Sequence, residues 1–507
     1  MFAELLSTYG RSLDLSNAVA VAAAVASALF VFYFRLRRAT DLHSVGILVF
    51  DSRDDDNGIV ATLERAHQLH PDTPFALAVP GQQLVVLPVS EIETVKALPE
   101  DQLSIKKHHY NQFLGEHSYM GTKADEFDDA MRNALVRNTP MVLRAFVAEI
   151  GYATRVTIGD NLPTWTKITP KAAMARMATV LSGRSFVGLP LSRDEEWIDA
   201  TVGFTGDVSR AWMKLRFIPH PLRPFVAPFF SEVRSLEARK ALITRKLGVL
   251  LREREKKRDR DGPAGSGAAG GELLDWLRDQ YSSGQPSVKE LTRDQLLATF
   301  ASIYNLTNAL TYMVFDLASH PEFVEELRAE LHDVLGQDGV IDKRTIMHLR
   351  KLDSFVRESQ RLRPTSLVNI PRIVTSPKGL RLTTGHTIPP GFLVMVRAQP
   401  INLSPKLYPE PEKFDAFRFS RMREQPGQEM KVQHTSTGND NINFGHGIWA
   451  CPGRFFASAQ IKVVAAHLIR NFDMRLTPGE KKPVPQYGGL AIFPDAVAQV
   501  ELRSRTP

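Results

Sequence analysis

The chain holds one cysteine, Cys451, in the run Phe444-Gly-His-Gly-Ile-Trp-Ala-Cys-Pro-Gly453. A single thiol forms no intramolecular disulfide and cannot assemble a multi-thiolate zinc or iron–sulfur centre. Three fates remain for it: a buried small hydrophobe, a nucleophile, or one axial ligand to a metal cofactor. Gly445, Gly447 and Gly453 permit tight turns and close approach of the backbone to a flat group. The N–H groups of such a loop, and the start of the helix expected after Pro452, can point at the sulfur and favour a thiolate. No activating base flanks the thiol closely, which sets the nucleophile aside. The residues alone leave the structural and the ligand readings open.

Other candidates lie upstream. Glu358-Ser-Gln-Arg361 has the i, i+3 spacing that puts both side chains on one helix face, where a surface ion pair is the plainer reading. Arg418, in Phe414-Asp-Ala-Phe-Arg-Phe419, is a third charge that either joins that pair or is a solvated loop cation. Arg372, in Pro371-Arg-Ile, stands in a β-rich run. Ala301-Ser-Ile-Tyr-Asn-Leu306 places Tyr304 and Asn305 in an apolar helix. A tyrosine hydroxyl can donate and accept, and an asparagine amide can hold a water; the alternative is that both only pack in the core.

The elements that must position these residues are mostly helices. The 507 residues are 43% hydrophobic and 23% charged, ordinary values for a globular chain. Leu291 to Leu317 reads as a long buried helix ended by His320-Pro321, and Met347 to Arg363 as a helix stopped by Pro364. Arg454 to Phe472 reads as a further helix. Phe75 to Val89 is a hairpin split by Pro80-Gly81. Short β runs cover 372–375, 380–382 and 392–396. Asp125 to Ile150 is helical with a break at Pro140. Leu236 to Arg258 is helical and runs into a flexible loop over 253–273, rich in charge and then in glycine. The fold class is therefore α+β, mostly α, with small sheets.

Residues 18–34 (AVAVAAAVASALFVFYF) carry no charge and are followed at once by Arg35, Arg37 and Arg38. A run this long is near the lower limit of about 17 for a spanning helix. The order of flanks is the reverse of a signal peptide's, so a retained anchor is expected. Residues 1–17 are then lumenal and 35–507 form a cytosolic catalytic domain. The net charge of +7, from 63 basic and 56 acidic residues, fits a membrane surface or an acidic partner. No nucleic-acid motif is present.

Taken in order, these motifs resemble the cytochrome P450 heme-thiolate enzymes. FGHGIWACPG matches that family's Phe-x-x-Gly-x-x-x-Cys-x-Gly ligand loop, Glu358–Arg361 its Glu-x-x-Arg element, and 414–419 the segment whose arginine joins that pair. The buried helix lies upstream, where the family's oxygen-activating helix belongs. Leu98–Ser104, Phe186–Pro190, Arg193–Trp197, Leu222–Pro228 and Ala457–Gln460 look like its membrane-bound fungal branch. That branch oxidises terpenoids, indole diterpenes and related secondary metabolites.

The resemblance, which runs nearly the whole chain, implies one heme domain binding heme b with Cys451 as axial ligand. Phe444, Gly445 and Gly453 would shape the ligand loop, and Arg372 would hold a propionate. Glu358, Arg361 and Arg418 would hold the structure behind the heme. The reaction would use dioxygen and a hydrophobic small molecule. Electrons would come from NADPH–cytochrome P450 reductase on the same endoplasmic reticulum membrane, docked on Arg418, Arg421, Arg423, Lys431 and Arg454. Membrane lipid would contact the anchor and the apolar stretch Phe217 to Phe230. The loop Leu103–Thr122, the helix Leu297–Asn305, Thr365–Ile370 and Tyr487–Phe493 would touch substrate.

Two departures from the family stand out. In most members the central helix carries an acid–alcohol pair, and in the fungal branch often Ala-Ala-Ile-His-Thr-Thr, where this chain has Tyr304 and Asn305. Ala301 and Asn305 would line the oxygen side, and proton delivery would take a different route. The second is Trp449, where the family has an Arg or His on a propionate; an indole N–H offers one neutral hydrogen bond there. The altered pair would also suit desaturation, dehydration or rearrangement without net oxygen insertion. A non-catalytic heme-binding paralogue is the remaining reading.

Overall fold

The computed structural model describes residues 42–52, 58–79, 82–218, 222–265, 272–282, 285–336 and 339–505. The expected lumenal segment and anchor lie outside these residues. Among the described residues no helix is long and apolar enough to cross a membrane.

The architecture is mostly helical with small sheets, as the sequence reading expects. Strands β1 (Val49–Asp51), β2 (Phe75–Val79), β3 (Gln82–Leu87), β4 (Leu103–Ser104), β5 (Val368–Val374) and β6 (Leu393–Arg397) form one mixed sheet in the order β1-β2-β3-β6-β5-β4. The β2–β3 hairpin closes with Val79 opposite Gln82. A second hairpin, β7 (Gln486–Gly488) and β8 (Ala491–Phe493), lies near the C-terminus.

Eight helices matter to the site: α1 (Ile105–Gln112), α2 (Thr139–Thr157), α3 (Pro170–Phe186), α4 (Glu195–Leu215), α5 (Ser231–Gly265), α6 (Val288–Ser319), α7 (Arg350–Leu362) and α8 (Arg454–Asn471). The central one, α6, starts with a capping box in which Ser287 and Glu290 satisfy each other's backbone N–H groups. It packs against α3, α4, α5, α7 and α8. One hydrophobic core draws on residues from Leu63 to Leu502.

Three expectations are corrected. The helical stretch after Asp125 ends before Pro140, because α2 starts at Thr139 and takes the proline in its first turn, where a missing N–H costs nothing. The flexible loop expected from residue 253 is helix as far as Gly265. Glu, Lys and Arg are strong helix formers, and Glu253 and Lys257 have the favourable i, i+4 charge order, which carries α5 through the charged run. The substrate loop expected from Leu103 begins instead as strand β4 and helix α1, capped by Ser104, whose side chain accepts from the Lys107 N–H.

Candidate active site

Cys451 lies at the mouth of α8. Its N–H donates to the Phe444 carbonyl at 2.7 Å, which closes the loop, and Gly445 turns it at φ +67°. Gly447, at φ +73°, passes so close to the neighbouring chain that a Cβ there would lie 2.1 Å from the Lys96 carbonyl oxygen. Only glycine fits that combination of dihedral and clearance. A Cβ on Gly453 would lie 3.9 Å from the sulfur, so nothing bulky stands on that side. Burial pushes the Cys451 thiol up, while the Gly453 and Arg454 amides and the Arg454 charge pull it down. A cation on the sulfur would tip that balance to the thiolate.

Behind the loop sits the charge cluster built on α7. The Glu358 carboxylate accepts from Arg361 Nε at 2.7 Å and Nη2 at 2.8 Å, from Arg418 Nε at 3.2 Å and from the Asp415 N–H at 3.0 Å. The spare Arg361 donor reaches the Asn402 and Pro411 carbonyls at 2.6 Å. Arg418 donates to the carbonyls of Pro409, Glu410 and Lys413. Exposures of 0%, 2% and 6% for Glu358, Arg361 and Arg418 exclude a surface pair. The triad fixes the irregular 402–415 segment that leads to the ligand loop. It makes no approach to the sulfur and is structural.

The opposite wall is α6. Most of this helix is buried, yet Ala301 and Asn305 are exposed in its middle, one turn apart. A chain of contacts joins this turn to the Cys451 loop. Phe300 meets Phe113 edge-on at 4.9 Å, and Phe113 lies 5.8 Å from the His109 ring. Burial drops His108 and His109 to about 3 and about 4, and the nearby Arg372 charge adds to the shift of both. The Arg372 guanidinium is 5.9 Å from the Trp449 ring, two residues before Cys451. These contacts link the Ala301–Asn305 turn to the Cys451 loop.

Arg372 is 2% exposed. Its Nη1 donates to the Pro371 carbonyl at 2.8 Å, but its Nε is buried without a partner. Burial drops it to about 10, against the pull of Glu100. A β-bulge between Asn369 and Arg372 aims it, and Ile370 there holds φ +57°, a strained conformation for a β-branched residue that costs about 1–3 kcal/mol. A buried, half-satisfied cation near a lone thiol fits a flat anionic metal cofactor, and heme with its propionates meets both demands. Arg132 stacks on the other part of the clamp, 4.9 Å from the Trp449 ring. Arg372→Leu is expected to weaken heme retention by about 2 kcal/mol or more. The heme-free chain should lose no stability, because there the charge is buried unpaired. Heme transfer to an acceptor protein and thermal unfolding of the heme-free form measure the two effects.

Several expected roles change. The Trp449 indole N–H donates to the Leu98 carbonyl at 3.0 Å, so it is not available to a propionate; its ring carries Arg132 and Arg372 instead. Arg418 and Arg423 are buried, which removes them from a reductase-docking patch, and the Arg421 side chain is paired with Asp415. Arg454 Nη1 donates to the Cys451 carbonyl at 2.8 Å. Tyr304 does not share the open turn in the way its neighbours do. It is half-buried, edge-on to Phe493 at 5.8 Å, with its hydroxyl pushed up to about 12 by burial against the opposing Asn308 amide. Asn305 Nδ2 donates to the Ala301 carbonyl at 3.0 Å, which leaves the amide oxygen as an acceptor for the cavity. The Thr365–Ile370 wall zips onto the C-terminal hairpin through Leu367 N–H to Leu490 O (2.9 Å) and Ile492 N–H to Thr365 O (3.0 Å). His108, His109, Arg132, Asn308 and Tyr312 escaped the sequence reading, save Arg132 as an early-helix cation of unfixed register.

Comparison with known proteins agrees with this geometry. The family profile described as Cytochrome P450 matches residues 159–501. The chain is 62% identical to cytochrome P450 monooxygenase gliF of Aspergillus fumigatus, over 96% of this chain and 98% of that one. It is 52% identical to cytochrome P450 monooxygenase ataF of Aspergillus terreus, over 97% and 99%. Retinoic-acid-bound cyanobacterial CYP120A1 shares the fold, with a TM-score of 0.65 at 19% identity over 87% of this chain and 94% of that one. Heme, when bound, supplies the oxidising chemistry and the protein its ligand, pocket and orientation. The chain belongs to the cytochrome P450 family and is a heme-thiolate oxidoreductase with Cys451 in the ligand position of the family loop.

Proposed function

We propose that this protein is an endoplasmic reticulum monooxygenase, anchored through residues 18–34, that inserts one oxygen atom into a hydrophobic fungal secondary metabolite of terpenoid, indole-diterpene or similar type. The observation that carries the reading is the exposed Ala301–Asn305 turn in the middle of a buried helix, linked to the Cys451 loop through Phe300, Phe113, His109, Arg372 and Trp449. A small molecule held there meets apolar and aromatic side chains. Leu367, Val368 and Ile370 are buried in the wall, and Phe113 and Phe300 close its other side. Such a surface suits a greasy ligand with few polar groups. Electrons arrive from NADPH–cytochrome P450 reductase. Three exposed phenylalanines, Phe217, Phe225 and Phe229, suit a second contact with lipid. Part of that stretch, 219–221, lies outside the described residues.

The protein's own groups have defined tasks in this reading. Arg372 and Arg132 orient the heme edge, Asn305 offers an acceptor on the oxygen side, and the aromatic wall excludes water. Labelled dioxygen tests the reaction class. Microsomes bearing the protein and its reductase, given NADPH and a hydrophobic extract of the producing fungus, should form a product that carries one labelled oxygen atom. Conversion to an unlabelled product would replace insertion by desaturation or rearrangement, the outcome the Tyr304–Asn305 departure would then explain.

A further inference from the structure

The side of α6 that carries Tyr304 holds a row of polar groups that the apolar packing around it does not require. Tyr304, Asn308, Tyr312 and Asp316 follow one another at four-residue steps, and such residues are neighbours on a helix surface. Asn308 and Tyr312 are each 2% exposed. The Tyr312 hydroxyl is nevertheless buried without a hydrogen-bond partner, and Asn308 Nδ2, which leans on the Tyr304 hydroxyl, makes no well-formed hydrogen bond. Two under-satisfied groups one turn apart are unusual, because buried polar groups find partners in protein or in ordered water.

The row is continuous at both ends. The Asn308 amide acts on the Tyr304 hydroxyl, and Tyr304 is half-buried beside Asn305, the exposed residue of the open turn. Tyr312 is pushed up by burial and feels Arg363, Tyr487, Tyr304 and Asp316; the Arg363 guanidinium lies 5.9 Å from its ring. Asp316 accepts from Ser359 at 2.5 Å, from Arg363 at 2.8 Å and from Lys482 Nζ at 2.8 Å. Lys482 Nζ meets His320 Nε2 at 3.0 Å, and the side chains of Lys482 and His320 keep 25% and 22% of their surface in solvent. Burial drops Lys482 from its ordinary value against the pull of Asp316, which eases proton release.

We propose that this row is a proton path. Water bound between Asn308 and Tyr312 joins the surface cluster of Lys482, His320 and Asp316 to Tyr304, in place of the acid–alcohol pair that the chain lacks. Tyr304, protonated at neutral pH, passes its proton toward the cavity and regains one from the row. Asn308 and Tyr312 act as positioning residues for the water. The chemistry balances as the family reaction does: dioxygen, two electrons from NADPH and two protons give one oxygen atom in the product and one in water. Without substrate, the same two electrons and two protons reduce dioxygen to hydrogen peroxide.

The test needs no identified substrate. The heme-loaded protein and its reductase, supplied with NADPH and dioxygen alone, consume oxygen in a reduction that takes up two protons for each dioxygen. Tyr312→Phe should slow this consumption about tenfold and raise its solvent deuterium isotope effect. That is less than the hundredfold or so a direct proton donor commands, because water can partly fill the site. Asn308→Leu should behave alike, and Asn308→Ser should recover most of the rate, which a packing defect would not. A crystal structure of the wild-type protein provides a readout apart from turnover, with an ordered water in hydrogen-bond reach of Asn308 Nδ2 and the Tyr312 hydroxyl. Unchanged rate and isotope effect in a fully heme-loaded Tyr312→Phe would overturn the proposal. So would equal behaviour of Asn308→Leu and Asn308→Ser. If the variants fail to take up heme, a wild-type structure with a dry Asn308–Tyr312 gap overturns it by itself.

Discussion

Glu358→Ala should cost about 3–5 kcal/mol of stability, the penalty for removing one partner of a buried ion cluster. Two arginines, Arg361 and Arg418, would then keep their charges in the interior with only carbonyls to face. Against a typical total of about 5–15 kcal/mol, the loss takes a large share of the fold's margin. The 402–415 segment has little regular structure of its own, so it should loosen first and take the Cys451 loop with it. Denaturant unfolding measures the first effect. Faster proteolysis within 402–415 measures the second. A Glu358→Ala protein with wild-type stability would show that the cluster is incidental.

Cys451→Ala should abolish turnover, with no product above background. Losing a group that merely supports a metal ligand costs about 10–100-fold, and here the ligand itself is removed. The fold should survive better than in Glu358→Ala, because an alanine fits where a small, partly buried side chain stood and no buried charge is stranded. The two variants therefore fail differently: one keeps its helices and loses its chemistry, the other loses both. Heme content per chain and far-ultraviolet circular dichroism separate them.

What the sequence made legible was local. The ligand loop, the Glu358–Arg361 spacing and the bounds of α6 and α8 depend on turns, caps and helical periodicity within a few residues. The observed ends fall within a few positions of those expected. Features set by distant packing were not legible. Trp449 looked available for a propionate, but its donor is taken by Leu98, 351 residues away in sequence. Arg418 was legible as a partner of Glu358, but it and Arg423 also looked available to a docking patch, because charge does not reveal burial. Nor does local pattern show that α7 anchors its surroundings through Asp353 as well, which accepts from the His434 N–H at 3.0 Å and pairs with Lys462. The polar row on α6 had a visible signal, a polar residue at every fourth position of an apolar helix. Its meaning depended on seeing that the Tyr312 hydroxyl lies buried without a partner.

The site departs from its family at Tyr304 and Asn305 on the oxygen side and at Trp449 in the ligand loop, while Cys451 keeps the family position. Asn305 is tied to its own helix through Ala301, and Tyr304 faces the C-terminal hairpin. Proton supply is thus the step at which this chain should differ from relatives that keep the acid–alcohol pair.

The central claim is that Cys451 thiolate binds the heme iron. The direct test is the absorption spectrum of the purified protein, reduced and bound to carbon monoxide, beside that of Cys451→Ala. The account predicts the strongly red-shifted Soret band of a thiolate-ligated heme in the wild type and its complete loss in the variant. Persistence of that band in Cys451→Ala, or its absence from heme-loaded wild-type protein, would contradict it.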